Sequence, residues 1–142
     1  MPSRAEAAAI AIGALAWGVA KGAVFHAIFP HVPANPPTAA HVISTVLVGP
    51  AIEELGYRSG LQRVTGSIPI AAGAFALAHV DPSASAGWNT FKIADSFAGG
   101  VMYGGLFDRY GLGWAWTAHA AHNLGSLIGA WATGAHRRPT GC

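Results

Sequence analysis

The chain has 142 residues, 52% hydrophobic and only 10% charged, and a formal net charge of +2 from eight Lys and Arg against six Asp and Glu. That length fits one domain, residues 1–142. The scattered basic residues argue against a nucleic-acid partner, and few stretches offer the polar outer face that a soluble α-domain needs. The single cysteine, Cys142, excludes an internal disulfide and, as the last residue, does not complete a prenylation box.

Taken in order, the apolar stretches predict an all-α membrane bundle of about five transmembrane helices. A spanning helix needs roughly 20 mainly apolar residues. Arg4 followed by the apolar run 7–20 has the pattern of a signal peptide. The apolar character runs on to Phe29, however, interrupted only by Lys21 and His26, so residues 7–29 are expected as a first span, with cleavage the alternative. Gly18-x-x-x-Gly22 gives this span a small-residue packing face. Residues 30–38, PHVPANPPT, form a loop, because four prolines lack donors and clash with continued helix.

A second helix is expected over 39–64, broken by Gly66 and Ser67. A third runs over 68–80, with Pro69 tolerated in its first turn, and closes at Asp81-Pro82. Residues 83–88, SASAGW, make the next loop. A fourth helix follows over 89–110, with Gly99, Gly100, Gly104 and Gly105 as a close-packing surface. Gly111 to Gly113 make a tight turn, residues 114–133 the fifth span, and HRRPTGC a polar tail. The basic residues divide almost evenly between the two sides of such a bundle, so the positive-inside rule leaves its orientation open.

Three polar patterns interrupt these apolar helices: Glu53-Glu54-x-x-x-Arg58, Phe75-x-x-x-His79 and His119-x-x-x-Asn123. Ionisable groups at membrane depth are costly unless they face the bundle interior and find partners. On a helix Glu53 and Glu54 point about 100° apart, so only one shares a face with Arg58. Glu54 is that one, at the i,i+4 spacing of a good ion pair. Glu53 is left to accept a proton, and a carboxylate held in a dry cavity is suited to general-base catalysis near neutral pH. The plainer reading of adjacent glutamates is a helix end at the aqueous interface. Two carboxylates and an arginine inside one apolar helix, with histidines on other helices, favour a site.

His79 alone reads as an interfacial histidine. His119 and Asn123 share one face of the fifth helix, and both side chains can donate to an oxyanion on a substrate carbonyl. The plainer reading is an interhelical hydrogen bond. His122 is turned away from that face and is expected to be structural. Asp95, three residues after Lys92, reads as half of a local ion pair. His26, His31, His41 and His136 read as interfacial or solvated, and the five tryptophans mostly as belts near span ends.

The three patterns, in this order on successive helices, resemble the CAAX protease and bacteriocin-processing family of intramembrane glutamic endopeptidases. Here they stand as EELGYR, FALAH and HAAHN, and the Gly-rich GGVMYGGLFDRYG leading into the last is also similar to the family. The resemblance covers about residues 39–127, a core carrying all three motifs. It implies that Glu53 activates water with help from His79, that His119 and Asn123 stabilise the oxyanion, and that Glu54 and Arg58 hold the site in shape, with no metal or cofactor. It implies a membrane-associated peptide or protein C-terminal segment as substrate, and an integral protein of the bacterial inner membrane. Tyr57 and Ser59 stand where many relatives have Phe and Gly. Many relatives are also longer, so a five-span version implies a partner or a homo-oligomer to enclose the cavity. Two other readings stay open: a zinc protease with Glu53, His79 and His119 as ligands, although Arg58 beside them disfavours a cation, and a non-catalytic immunity or assembly factor.

Overall fold

The computed structural model describes residues 2–29 and 38–133, and every regular element among them is helical. Residues 30–37 of the loop expected at 30–38, with His31, and the tail with His136, Arg137, Arg138 and Cys142 lie outside the described residues. Five helical runs are present: α1 (Arg4–Ile28), α2 (residues 39–65), α3 (Ile68–Leu77), α4 (Ala86–Tyr110) and α5 (Leu112–Ala132).

The differences from the expected boundaries lie in the caps. α1 begins at Arg4 because Ser3 Oγ accepts from the Glu6 amide (3.2 Å) while the Glu6 carboxylate accepts from the Ser3 amide (2.8 Å), a reciprocal capping box. α4 begins three residues early, at Ala86. Ser85 Oγ accepts from the Trp88 amide at 3.2 Å and turns the expected loop residues Ala86, Gly87 and Trp88 into a first turn. α2 ends where Gly66 takes φ 64°, and α4 where Gly111 takes φ 89°. Both are conformations that side chains resist. Gly111 makes the last turn alone, since α5 starts at Leu112 and takes in Gly113.

α2 was expected as one regular helix. It contains two π-helical stretches, Ile43–Val48 and Leu55–Gln62, the second starting directly after Glu54. Such widened turns are rare and occur often at functional sites.

The chain divides into two compact units, Met1–Gly49 with Thr117–Cys142, and Pro50–Trp116. In the first, α1 crosses α5 through four glycines. A Cβ on Gly18 or Gly22 would run into the backbone of His122 or Ser126, and one on Gly125 or Gly129 into the backbone of Leu15 or Val19. The expected face of Gly18 and Gly22 is therefore real, and its counterpart is Gly125-x-x-x-Gly129. Trp17, rather than sitting in a terminal belt, stacks on His122 with ring centroids 4.7 Å apart. His26 is buried against Phe25 rather than solvated. Its place on the inner face of α1, one turn beyond Gly22, removes it from the surface.

In the second unit α3 packs on α4. A Cβ on Gly100 would approach Ala72 Cα at 2.9 Å, and one on Gly104 would meet Gln62 and Ile68. Gly99 gives room instead to the ring of Tyr103 one turn later, and a Cβ on Gly105 would meet nothing within 4 Å among the described residues. The buried apolar positions are mostly small, Ala71, Ala72 and Ala76 among them, whereas Val64 (85% exposed), Leu77 (66%) and Ile12 (65%) face outward. Small residues inside and branched aliphatics outside is the distribution that hydrocarbon solvent favours. Among the described residues one helix, α1, is long and apolar enough to cross a membrane by length and composition, while α3 is apolar but only ten residues long.

Candidate active site

The carboxylates of Glu53 and Glu54 part as their spacing requires. Glu54 and Arg58 are fully buried, at 1% and 0% side-chain exposure, with Arg58 Nε donating to Glu54 Oε2 at 3.0 Å. The guanidinium also lies over the Phe75 ring, 5.4 Å from its centroid, a favourable cation–π placement. Its two Nη groups are buried with no hydrogen-bond partner among the described residues. The pair thus ties α2 to the aromatic residue that opens the second motif.

Phe75 in turn fixes His79. α3 ends at Leu77, three residues before its expected close, so the His79 amide bonds to the Ala76 carbonyl (3.1 Å) in a tightened turn. The Phe75 carbonyl, which would take that amide in a continued α-helix, accepts the His79 ring Nδ1 at 2.8 Å instead. A carbonyl only accepts, so Nδ1 carries the proton and neutral His79 presents the Nε2 lone pair. Nε2 lies 3.9 Å from Glu53 Oε1. That is too long for a direct hydrogen bond, but a water about 2.8 Å from each atom would see them at about 90°, close to its own H–O–H angle. Glu53 is 32% exposed and His79 24%, so among the described residues the pair is half-buried.

The third motif belongs to the other unit. His119 is buried on α5. Asn123 Nδ2 donates to the Thr45 carbonyl at 2.9 Å, within the first π-helical stretch, and the amide keeps a second N–H. His122 is buried on the Trp17 side of the helix, with its carbonyl accepting from Ser126 Oγ at 2.9 Å.

Two neighbours of the site were not anticipated. Gln62, buried one turn after Arg58, donates through Nε2 to the Gly104 carbonyl (3.1 Å) and to Asp108 (2.8 Å), pinning α2 to α4. The signal was present, since positions 54, 58 and 62 form one i,i+4 stripe. Tyr103, 1% exposed, lies within electrostatic range of Asp95, Glu54, Glu53 and Arg58. Asp95 thus acts on the same phenol as the motif glutamates, beyond the local pairing with Lys92 that spacing suggested. Nothing in the sequence marks Tyr103 except its place one turn after Gly99.

Residues 33–125, more than half of the chain and including all seven motif residues, match the family described as type II CAAX prenyl endopeptidase Rce1-like. The chain belongs to that family. Membership assigns it to the CAAX-type proteases, which are peptide hydrolases. No curated protein and no solved structure matches it. α1 lies ahead of the matched segment.

Proposed function

We propose that this protein is an intramembrane endopeptidase of the glutamic type, cleaving a membrane-associated peptide or a protein's C-terminal segment. The observation that carries the reading is the pairing of Glu53 Oε1 with His79 Nε2 at 3.9 Å, with the Nδ1 proton of His79 committed to the Phe75 carbonyl. Two acceptors at that separation hold one water by both its hydrogens and aim a lone pair away from themselves. Glu53 takes the water proton as the oxygen attacks the scissile carbonyl, and the oxyanion that forms is stabilised by N–H donors from His119 and Asn123. Collapse of the tetrahedral intermediate breaks the C–N bond, and Glu53 returns the proton to the leaving amine. General-base assistance of this kind typically contributes about 10²–10⁴-fold.

Glu54 and Arg58 supply placement. Their buried ion pair and the Arg58–Phe75 contact hold the first two motifs in register. The family, the apolar α1 and the outward-facing aliphatic residues support a membrane setting, with the bacterial inner membrane as the proposed location. The family's description makes prenylated C-terminal peptides the first substrates to try. A homo-oligomer that encloses the site is part of the proposal.

The test is cleavage of a quenched fluorescent farnesylated peptide by the protein reconstituted in liposomes, before and after EDTA and phenanthroline. Cleavage that survives both chelators, together with no stoichiometric metal in the purified protein, is the expected result. Activity that is lost to chelation and restored by zinc would replace Glu53 as base with a metal held by Glu53, His79 and His119.

A further inference from the structure

His79 stands two residues past the end of α3. After Ala78, whose amide still bonds to the Ala74 carbonyl (3.0 Å), the next two amides make only tightened i→i+3 bonds, from His79 to Ala76 (3.1 Å) and from Val80 to Leu77 (3.2 Å). Helix ends of this kind fray. A water-activating imidazole tolerates little fraying, because a displacement of about 1 Å can cost about 100-fold in rate.

The chain is caught again two residues later. Asn89, in the first turn of α4, accepts from the Asp81 amide through Oδ1 (2.9 Å) and donates to the Asp81 carbonyl through Nδ2 (2.8 Å). One primary amide thus pairs with both backbone groups of one residue, as a neighbouring peptide would. Asp81 closes the intervening turn, its carboxylate accepting from the Ser83 amide (2.9 Å) and hydroxyl (2.6 Å). The Asn89 amide is itself bonded to the Ser85 carbonyl at 3.0 Å, a backbone link independent of the Ser85 side chain. Between the imidazole and this clamp only Val80 intervenes.

We propose that Asn89 is a positioning residue for His79: by clamping both backbone groups of Asp81 to the start of α4, it holds the His79 ring on the Phe75 carbonyl with Nε2 toward Glu53. The residue type follows from the job. Only an amide offers a donor and an acceptor side by side. Aspartate at this place would keep the bond from the Asp81 amide and set a carboxylate against the Asp81 carbonyl. The inference rests on the reading of His79 as part of the water-activating pair.

The experiment uses the full chain in nanodiscs, with kinetics on the farnesylated peptide and ¹⁵N NMR of histidine-labelled protein, the His79 signals assigned through His79→Gln. Asn89→Ala is expected to lower kcat at least about tenfold with KM within about twofold, and to convert His79 from a single Nδ1–H tautomer to an exchanging mixture. Asn89→Asp falls between wild type and Asn89→Ala in both readouts, which keeps the test open if the alanine variant folds poorly. Ser85→Ala loosens the same end of α4 but spares the clamp, so it leaves kcat within about twofold and the tautomer unchanged. Wild-type kcat in Asn89→Ala, or an unchanged His79 tautomer in both Asn89 variants, overturns the proposal. If the wild-type protein cleaves nothing, the protease reading fails, while the tautomer comparison still decides the clamp.

Discussion

Residues 50–116 lock their helices together with polar side chains, whereas the crossing of α1 with α5 is locked by the absence of side chains. In the first region a chain of specific contacts runs from Glu54 through Arg58 to the Phe75 ring, from the Phe75 carbonyl to His79, and from His79 toward Glu53. Each link needs a particular functional group. In the second, Gly18, Gly22, Gly125 and Gly129 bring two backbones into contact, and any Cβ would intrude. The difference teaches where each region tolerates change. The polar region depends on the functional group and charge that each side chain carries. The glycine crossing depends on volume alone.

The largest expected effect is therefore steric. Gly125→Val should prevent α1 from docking on α5 and abolish the cooperative unfolding transition in detergent. Gly13→Ala, on α1 and with nothing within 4 Å of the added Cβ among the described residues, should stabilise the protein by up to about 1 kcal/mol. A Gly125→Val protein with wild-type Tm would break the comparison at its steric end.

The two glutamates sharpen its polar end. Glu53→Gln keeps shape and removes the base, so cleavage should fall by about 10²–10⁴-fold with Tm nearly unchanged. Glu54→Gln leaves Arg58 buried without its counter-charge and should cost about 3–5 kcal/mol of stability along with activity. Equal, purely catalytic losses in both variants would show that the pair does not divide its labour.

Next come the two histidines three residues apart on α5. His119→Ala should lose about 100-fold in kcat, the effect of removing one oxyanion donor. His122→Ala should keep activity within a few-fold and lose about 1 kcal/mol of stability with its Trp17 stack. The reverse ranking would put the catalytic face of α5 on the Trp17 side.

The smallest effect lies in the exposed turn after His79. Hydrogen bonds from the Ser83 hydroxyl and amide hold the Asp81 carboxyl below its ordinary value of 3.8. A lowered carboxyl pKa means that the turn's contribution to stability is fully present above that value and is lost as pH falls through the lower, folded one. A carboxyl NMR titration of Asp81 should give a midpoint under 3.8, and Ser83→Ala should raise it. A wild-type midpoint at or above that value would mean the turn is open in solution.

Much of this could be read without coordinates, because it depends on local spacing and polarity. The apolar runs and their Gly and Pro breaks located five helices, and the i,i+4 rule separated Glu54 from Glu53 correctly. Gly18-x-x-x-Gly22 announced a close-packing face. The three motifs gave the family, since the order of residue types along a chain is itself sequence information. Tertiary structure decided what depends on partners distant in sequence. The π-helical turns around Glu54 and Arg58, the seating of Trp17 on His122 and the placement of Tyr103 near Asp95 and Glu53 have no local signature. The early end of α3, which hands the Phe75 carbonyl to the His79 ring and so fixes its tautomer, needed the chain beyond His79 to be tied elsewhere. Asn89 ties it, and an asparagine in a helix's first turn looks like any other until its amide is seen on the backbone of Asp81.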